Sequence, residues 1–274
     1  MAGPDPRYRA CVTDASYQHL DQHLRDEAQF ADREYSRHAA TLGAQDNMFR
    51  KYAAPTEMWD WRQFAAQLLG EVSGKKLLDY GCGMGEESTY FAKLGADVTA
   101  FDISEVGVRL TNARAAHNGV GDRVHAQLLR AEDTQVFADA SFDIVHGMGI
   151  LHHVDLGRAM SEVKRLLVPG GTAIFLEPMG NSPTVEAMKG WLMRHSTQFT
   201  DVTEHEENLK LDALRAYKHE FSRLDLHPFH LLYRAKKFFP ASLRDRLRQL
   251  DHRLLGSLPR LGYFAGAVVI HIRK

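Results

Sequence analysis

Seven consecutive residues, Asp79-Tyr80-Gly81-Cys82-Gly83-Met84-Gly85, together with Asp102, 21 positions beyond Gly81, have the types and spacing of a ligand site. Glycines permit positive φ angles and let a ligand come close to the backbone. A helix starting beyond them offers unpaired N–H groups to an anionic group. An acid about twenty residues later, at the end of the next strand, is placed to accept both hydroxyls of a ribose. Together these residues point to a nucleoside-containing cofactor. The third glycine comes one residue early for the dinucleotide spacing G-x-G-x-x-G. Asp79 is ill suited to a pyrophosphate and well suited to a cationic ammonium. A second group, His152 and His153 in Ile150-Leu151-His152-His153-Val154 and then Glu177, offers proton chemistry. The ordinary pKa of imidazole, near neutrality, suits a general base.

The elements that must position these residues are legible. Residues 75–80 (KKLLDY), 97–101 (DVTAF), 124–129 (VHAQLL), 142–146 (FDIVH) and 172–176 (TAIFL) read as strands. Helices fall between them. One carries Tyr90, Phe91 and Leu94 and closes at Gly95. The next is capped by Ser104 and ends near Gly119. A third runs from about 157 to 168 and stops at Pro169-Gly170-Gly171. Such alternation implies a parallel sheet with helices on both faces. Right-handed crossovers then put every loop that follows a strand on one edge, where ligands collect. Before residue 60 the chain is polar, and the spacing of Leu20, Leu24, Phe30, Tyr35 and Leu42 suggests short helices. Residues 179–262 are mostly helical in pattern, with an apolar stripe of Leu243, Leu247, Leu250 and Leu254. Residues 264–272 (FAGAVVIHI) read as a closing strand.

LLDYGCGMGEES resembles motif I, D-x-G-x-G-x-G, of the class I S-adenosylmethionine-dependent methyltransferases. FDIS resembles their second-strand motif, SFDIVHGMGILHHV their fourth-strand motif, and LLVPGGTAIFLEP the helix-turn-strand after it. The match runs through residues 75–178 in the right order and spacing. It implies a doubly wound, Rossmann-like α/β fold, with a mostly parallel seven-stranded sheet and helices on both faces. It also implies a methyltransferase that uses S-adenosylmethionine and releases S-adenosylhomocysteine. On this resemblance residues 1–70 form an N-terminal helical lid and 71–178 the cofactor-binding core. Residues 179–262 are then a helical substrate cap, and 263–274 the closing strand. Gly81, Cys82, Gly83 and Gly85 would line the methionine part, with Asp79 near its ammonium group. Asp102 would bind the ribose hydroxyls, Ile103 would pack on adenine, and Gly147 and Met148 would border the sulfonium. Where relatives often show Gly-Asp-Ala, this chain has Leu129-Arg130-Ala131-Glu132. Arg130 cannot accept a hydrogen bond from the adenine amino group. Ala131 and Glu132 are therefore the candidates, through a backbone carbonyl or the carboxylate. In related enzymes an N-terminal helical segment closes over the cofactor, which makes Tyr52 a further contact.

Methyl transfer from a sulfonium is an in-line displacement whose reactivity comes mostly from the cofactor. The protein must align the nucleophile, exclude water and, for a phenol, hydroxyl or ammonium acceptor, remove a proton. His152 and His153 are the candidate bases. Adjacent side chains do not share one face of a turn, so one is expected to face the pocket, and His152 is the choice. Because LHH recurs in the superfamily, an orienting role stays open for both. Glu177 is expected either to position a cationic or hydroxyl-bearing acceptor or to cap a turn.

Other classes are disfavoured by composition. The chain has 274 residues, 44% hydrophobic and 25% charged, and its 34 basic and 35 acidic residues leave a net charge of −1. That balance argues against a nucleic-acid partner. Cys11 and Cys82 make no disulfide framework. The first thirty residues contain no apolar run suited to a signal peptide, and no stretch approaches the roughly 18 apolar residues of a membrane span, so a cytoplasmic location without a membrane span is expected. His205, His219, His227 and His230 are scattered through the variable region, where such residues are usually surface or satisfied core groups. No His/Cys/acid spacing diagnostic of zinc occurs, Glu204-His205-Glu206-Glu207 reads as a solvated turn, and no metal is expected. Residues 230–260 carry Arg234, Lys236, Lys237, Arg244, Arg246, Arg248, Arg253 and Arg260. This basic amphipathic element permits a weak interfacial contact with an anionic surface. The reading is therefore methyl transfer to an O, N or C atom of a small molecule, in secondary metabolism. One alternative is a lipid-linked, prenyl diphosphate or glycan acceptor. The other is a protein that binds the cofactor without methyl transfer, as a regulatory module or a cyclase-like catalyst. The oligomeric state is left open.

Overall fold

The computed structural model describes residues 22–38, 60–180, 182, 209–233 and 239–274. Tyr52, the 204–207 acidic run, Arg234, Lys236 and Lys237 lie outside them. The helices are α1 (Gln22–His38), α2 (Trp61–Leu69), α3 (Glu86–Lys93), α4 (Glu105–His117), α5 (Leu156–Leu166), α6 (Leu211–Arg215) and α7 (Ala241–Ser257). The strands are β1 (Lys76–Tyr80), β2 (Asp97–Asp102), β3 (Val124–Leu128), β4 (Phe142–Met148), β5 (Leu167–Pro178), β6 (Arg223–Phe229) and β7 (Ala267–Arg273). They form one seven-stranded sheet in the order β3-β2-β1-β4-β5-β7-β6. β1 to β5 pair in parallel, and β7 runs antiparallel to both β5 and β6. This is a doubly wound, Rossmann-like architecture with an antiparallel last strand, as expected.

The core lies on both faces of the sheet, which is why its strands read as continuous apolar runs. Leu77 packs with Leu69, Phe91 and Ala115 from α2, α3 and α4. Its neighbour Leu78 points the other way, towards Met160 and Val163 of α5 and Leu214 of α6. Helix starts follow the local chemistry. The Ser104 hydroxyl accepts from the Gly107 amide at 2.9 Å, and the Asp155 carboxylate accepts from Arg158 at 2.8 Å.

Four sequence expectations change. The region 179–262 is not only helical, because β6 forms the sheet edge within it. RLDLHPF hides a strand, since Pro228 is tolerated where an edge strand leaves its backbone unpaired. The stripe on α7 is not a core face among the described residues, as Leu243 and Leu250 are 38% and 44% exposed. The described part of the first sixty residues forms the 17-residue α1, not several short helices, and then Asp60, which caps α2. α5 stops at Leu166, and β5 begins at once, running through Pro169-Gly170-Gly171. No helix among the described residues is long and apolar enough to cross a membrane.

Candidate active site

One cavity of about 380 Å³ opens at the carboxyl ends of β1, β2 and β4. Its floor is the loop after β1. The three loop glycines all have positive φ, and two of them show why glycine is needed. A Cβ on Gly85 would sit 2.6 Å from the Thr111 Cα, so this glycine lets α3 lie directly against α4. A Cβ on Gly83 would stand 3.3 Å from the Tyr35 hydroxyl. Gly83 also gives its amide to Asp102 Oδ2 at 2.8 Å, while the Ser104 amide donates to Oδ1 at 2.9 Å. The two strand ends are thereby locked together through one carboxylate. Burial pushes that carboxyl up to about 6, with Asp79 and Asp32 raising it further and the two amides opposing.

Asp79 is also buried and fully engaged. Ser88 donates its hydroxyl to Oδ2, and Oδ1 lies 3.2 Å from His146 Nδ1. The pairing follows from register, since Asp79 stands directly beside His146 of β4. In the loop after β3, Arg130 turns away to Asp133 at 2.8 Å. The Ala131 carbonyl accepts from the Tyr80 hydroxyl at 3.0 Å. Glu132 lines the cavity beside it.

Asp79, Gly81, Cys82, Gly83, Asp102, Ile103, Ala131, Glu132, Met148 and His153 are thus brought to one cavity. Four expected residues are not. Gly85 faces Thr111 instead, and Gly147 faces the Phe175 ring, where a Cβ would meet it at 2.6 Å. Both glycines serve close packing behind the lining. His152 is turned inward, its Nδ1 2.8 Å from Glu177 Oε2. Glu177 is 0% exposed, and its Oε1 accepts from the Ile150 and Leu151 amides at 2.9 Å each. It caps the turn after β4 and does not line the cavity. The pocket-facing member of the pair is therefore His153, whose Nδ1 lies 3.2 Å from Glu27 Oε2. The two rings lie against each other, 4.0 Å between centroids, because the short 3₁₀ turn Leu151–His153 is too tight to splay them. Tyr52 lies outside the described residues.

Sequence reasoning expected a helical N-terminal lid but named neither the α1 residues that line the cavity nor His146. Glu27, Phe30, Glu34 and Tyr35 all line the cavity. α1 is held there by Asp32, whose Oδ1 accepts from the Ser104 hydroxyl and the Val106 amide. The Asp102 carboxylate foremost, then burial and the nearby Cys82, Asp32 and Glu27, raise the Tyr35 phenol well above its ordinary value. The apolar spacing signalled helix here, and only the resemblance gave the segment a destination, as a lid.

A doubly wound sheet closed by the antiparallel β7, a glycine turn after β1 and a buried acid at the end of β2 agree with the architecture that the sequence resemblance implies. A family profile described as "Methyltransferase domain" matches residues 78–175, so the chain carries that domain. It is 35% identical over 105 residues to a ubiquinone biosynthesis O-methyltransferase of Paraburkholderia phymatum, covering 38% of this chain and 44% of that protein. To the enzyme of the same name from Psychrobacter cryohalolentis it is 29% identical over 180 residues, 64% of this chain and 69% of that one. The chain spans 30–48% of the length of curated relatives to which it is 32–35% identical. Among solved structures it is similar in fold to geranyl diphosphate C-methyltransferase from Streptomyces coelicolor A3(2). That structure holds Mg2+, geranyl-S-thiolodiphosphate and S-adenosyl-L-homocysteine, and the TM-score is 0.62 at 17% identity, covering 93% of this chain and 99% of that one.

Proposed function

We propose that the chain transfers a methyl group from S-adenosylmethionine to a small-molecule acceptor. His153 is the base where the acceptor must lose a proton. The observation that carries this reading is the single cavity that joins Asp79, the glycine loop and Asp102 to Met148 and His153. The residues present suit the cofactor. Its sulfonium and ammonium are cationic, and the described lining includes Glu27, Glu34, Asp79, Asp102 and Glu132 but no Lys or Arg.

When bound, the cofactor supplies a methyl group made electrophilic by the sulfonium. The chain's own residues do the rest. Asp102, already oriented by two backbone amides, would accept the ribose hydroxyls. Asp79 adds negative potential for the ammonium group. Ile150, over Gly81, and Met148 form an apolar wall that excludes water. His153, oriented by Glu27, would hold the proton that a phenol or hydroxyl acceptor loses on methylation.

The acidic lining favours a neutral or cationic acceptor over a prenyl diphosphate. A cavity of this size suits a small molecule, with α1 of the N-terminal segment serving as its lid. Relatives named O-methyltransferases make an oxygen acceptor the first to try. Titration calorimetry with S-adenosylmethionine, then radiolabelled methyl transfer across phenols, catechols, amines and geranyl diphosphate, tests the proposal. Binding with transfer to a phenol or amine supports it. Transfer to the diphosphate alone, or binding with no transfer to any of them, overturns the acceptor class. Absence of cofactor binding overturns the whole reading.

A further inference from the structure

Far from this cavity, the antiparallel edge of the sheet gathers a second set of chemistry-bearing side chains. Asp225 and His227 alternate on β6 and so project from the same face. Strand pairing sets Asp225 directly opposite His271 of β7. One donor atom from each of the three lies within 4.8 Å of the other two. The cluster sits beside Thr172, near the amino-terminal end of the parallel part of β5, whereas the cavity lies at the carboxyl ends of the strands.

Two features set this cluster apart from an ordinary polar edge. His271 is 8% exposed, and its Nε2 is 3.2 Å from the Thr172 hydroxyl, but its Nδ1 is buried without a hydrogen-bond partner. His227 Nε2 is likewise buried and unpartnered. Buried polar atoms are almost always paired, so two orphaned imidazole nitrogens beside one carboxylate require an explanation. The expectation that His227 is a surface or satisfied group does not hold.

We propose that Asp225, His227 and His271 form a divalent transition-metal site, with zinc the ion best matched to it, that pins the edge strand β6 to β7. Two imidazoles and a carboxylate are a zinc-type donor set, with a fourth position open to water. Bonds of about 2.0–2.1 Å in tetrahedral geometry place donors about 3.3–3.5 Å apart, so binding would draw the three donors in from their present spacing of up to 4.8 Å. Arg223 holds Asp225 Oδ2, which leaves the other oxygen for the ion and orients the carboxylate, as outer-shell partners do. The guanidiniums of Arg223 and Arg273 oppose the ion, and moderate affinity follows. The His227 ring packs edge-on against Phe64 of α2 at 4.8 Å, so the ion would also steady the helix over this face.

The test uses the full chain stripped with chelator and titrated with zinc chloride. It is read by equilibrium dialysis, by the absorption of cobalt substituted at the site, and by thermal denaturation. One stoichiometric equivalent that raises the melting temperature is expected. Asp225→Asn and His271→Ala should each weaken it at least about tenfold, whereas His252→Ala leaves it unchanged. His271 is buried, so its variant risks unfolding. Asp225 is half-exposed, and its variant decides the matter alone. No stoichiometric zinc, or equal binding by wild type and Asp225→Asn, overturns the proposal. S-adenosylmethionine affinity, measured in parallel, separates loss of this site from loss of the fold.

Discussion

Replacing Asp102 by Asn tests the cofactor assignment through two quantities that respond differently. The Asp102 carboxylate is 6% exposed and accepts from the Gly83 and Ser104 amides. Its folded value of about 6 lies above the ordinary 3.8. Between those two values the folded protein holds the proton more tightly than the unfolded chain. Stability therefore declines as pH rises through that window, by about 3 kcal/mol in all, and remains lower above it. Asn abolishes that decline but turns an NH₂ towards one of the two amide donors, at a cost of about 1–3 kcal/mol. Near neutral pH these effects offset, and the unliganded variant should melt close to wild type. Cofactor affinity should behave otherwise. Loss of a charged acceptor for the ribose hydroxyls costs about 1.5–3 kcal/mol, or roughly ten- to a hundredfold in Kd. In the wild type the carboxyl must shed its proton first, so affinity at pH 5 should be about tenfold below its value above pH 7. Asp102→Asn should show no such limb. Titration calorimetry at pH 5, 6 and 7.5, with melting curves on the same samples, measures both. A folded variant with unchanged affinity at pH 7.5, or a wild-type affinity that is flat from pH 5 upward, refutes the reasoning.

His153→Gln should lower the single-turnover methylation rate of a phenolic acceptor by about 10²–10⁴ while leaving cofactor affinity within a few fold. If the rate is kept, the base lies elsewhere or the acceptor needs none. Glu177→Gln disturbs a fully buried carboxylate that holds two amides and His152, and should cost about 3–5 kcal/mol in urea denaturation. A loss of activity with stability unchanged would instead return Glu177 to the chemistry. Gly85→Ala forces a left-handed non-glycine residue and a Cβ 2.6 Å from the Thr111 backbone. The expected destabilisation is about 2–5 kcal/mol, and a neutral result would mean that α3 and α4 separate easily.

Residues 75–178 announced their fold because each local signal agreed with the global one: apolar strands buried on both faces, a serine cap at Ser104, glycines at the turns. The glycine loop and Asp102 were legible for the same reason, since their chemistry follows strand ends and strand ends are local features. β6 was not, because an edge strand containing Asp225, His227 and Pro228 is tolerated only by its partner β7.

The remaining decisions belong to tertiary structure. Whether His152 or His153 faces the cavity depends on Glu177, far along the chain, which caps the turn after β4 and draws His152 inward. Asp79 meets His146 through the register of β1 on β4. α1 reaches the cavity because Asp32 docks at the start of α4. Asp225, His227 and His271 converge only when β6 pairs with β7. The sequence by itself determined which residue types follow which strands, because hydrophobic periodicity and turn chemistry act over a few residues. Which side chains meet is set by pairing and burial across distant segments, and that only the folded chain decides.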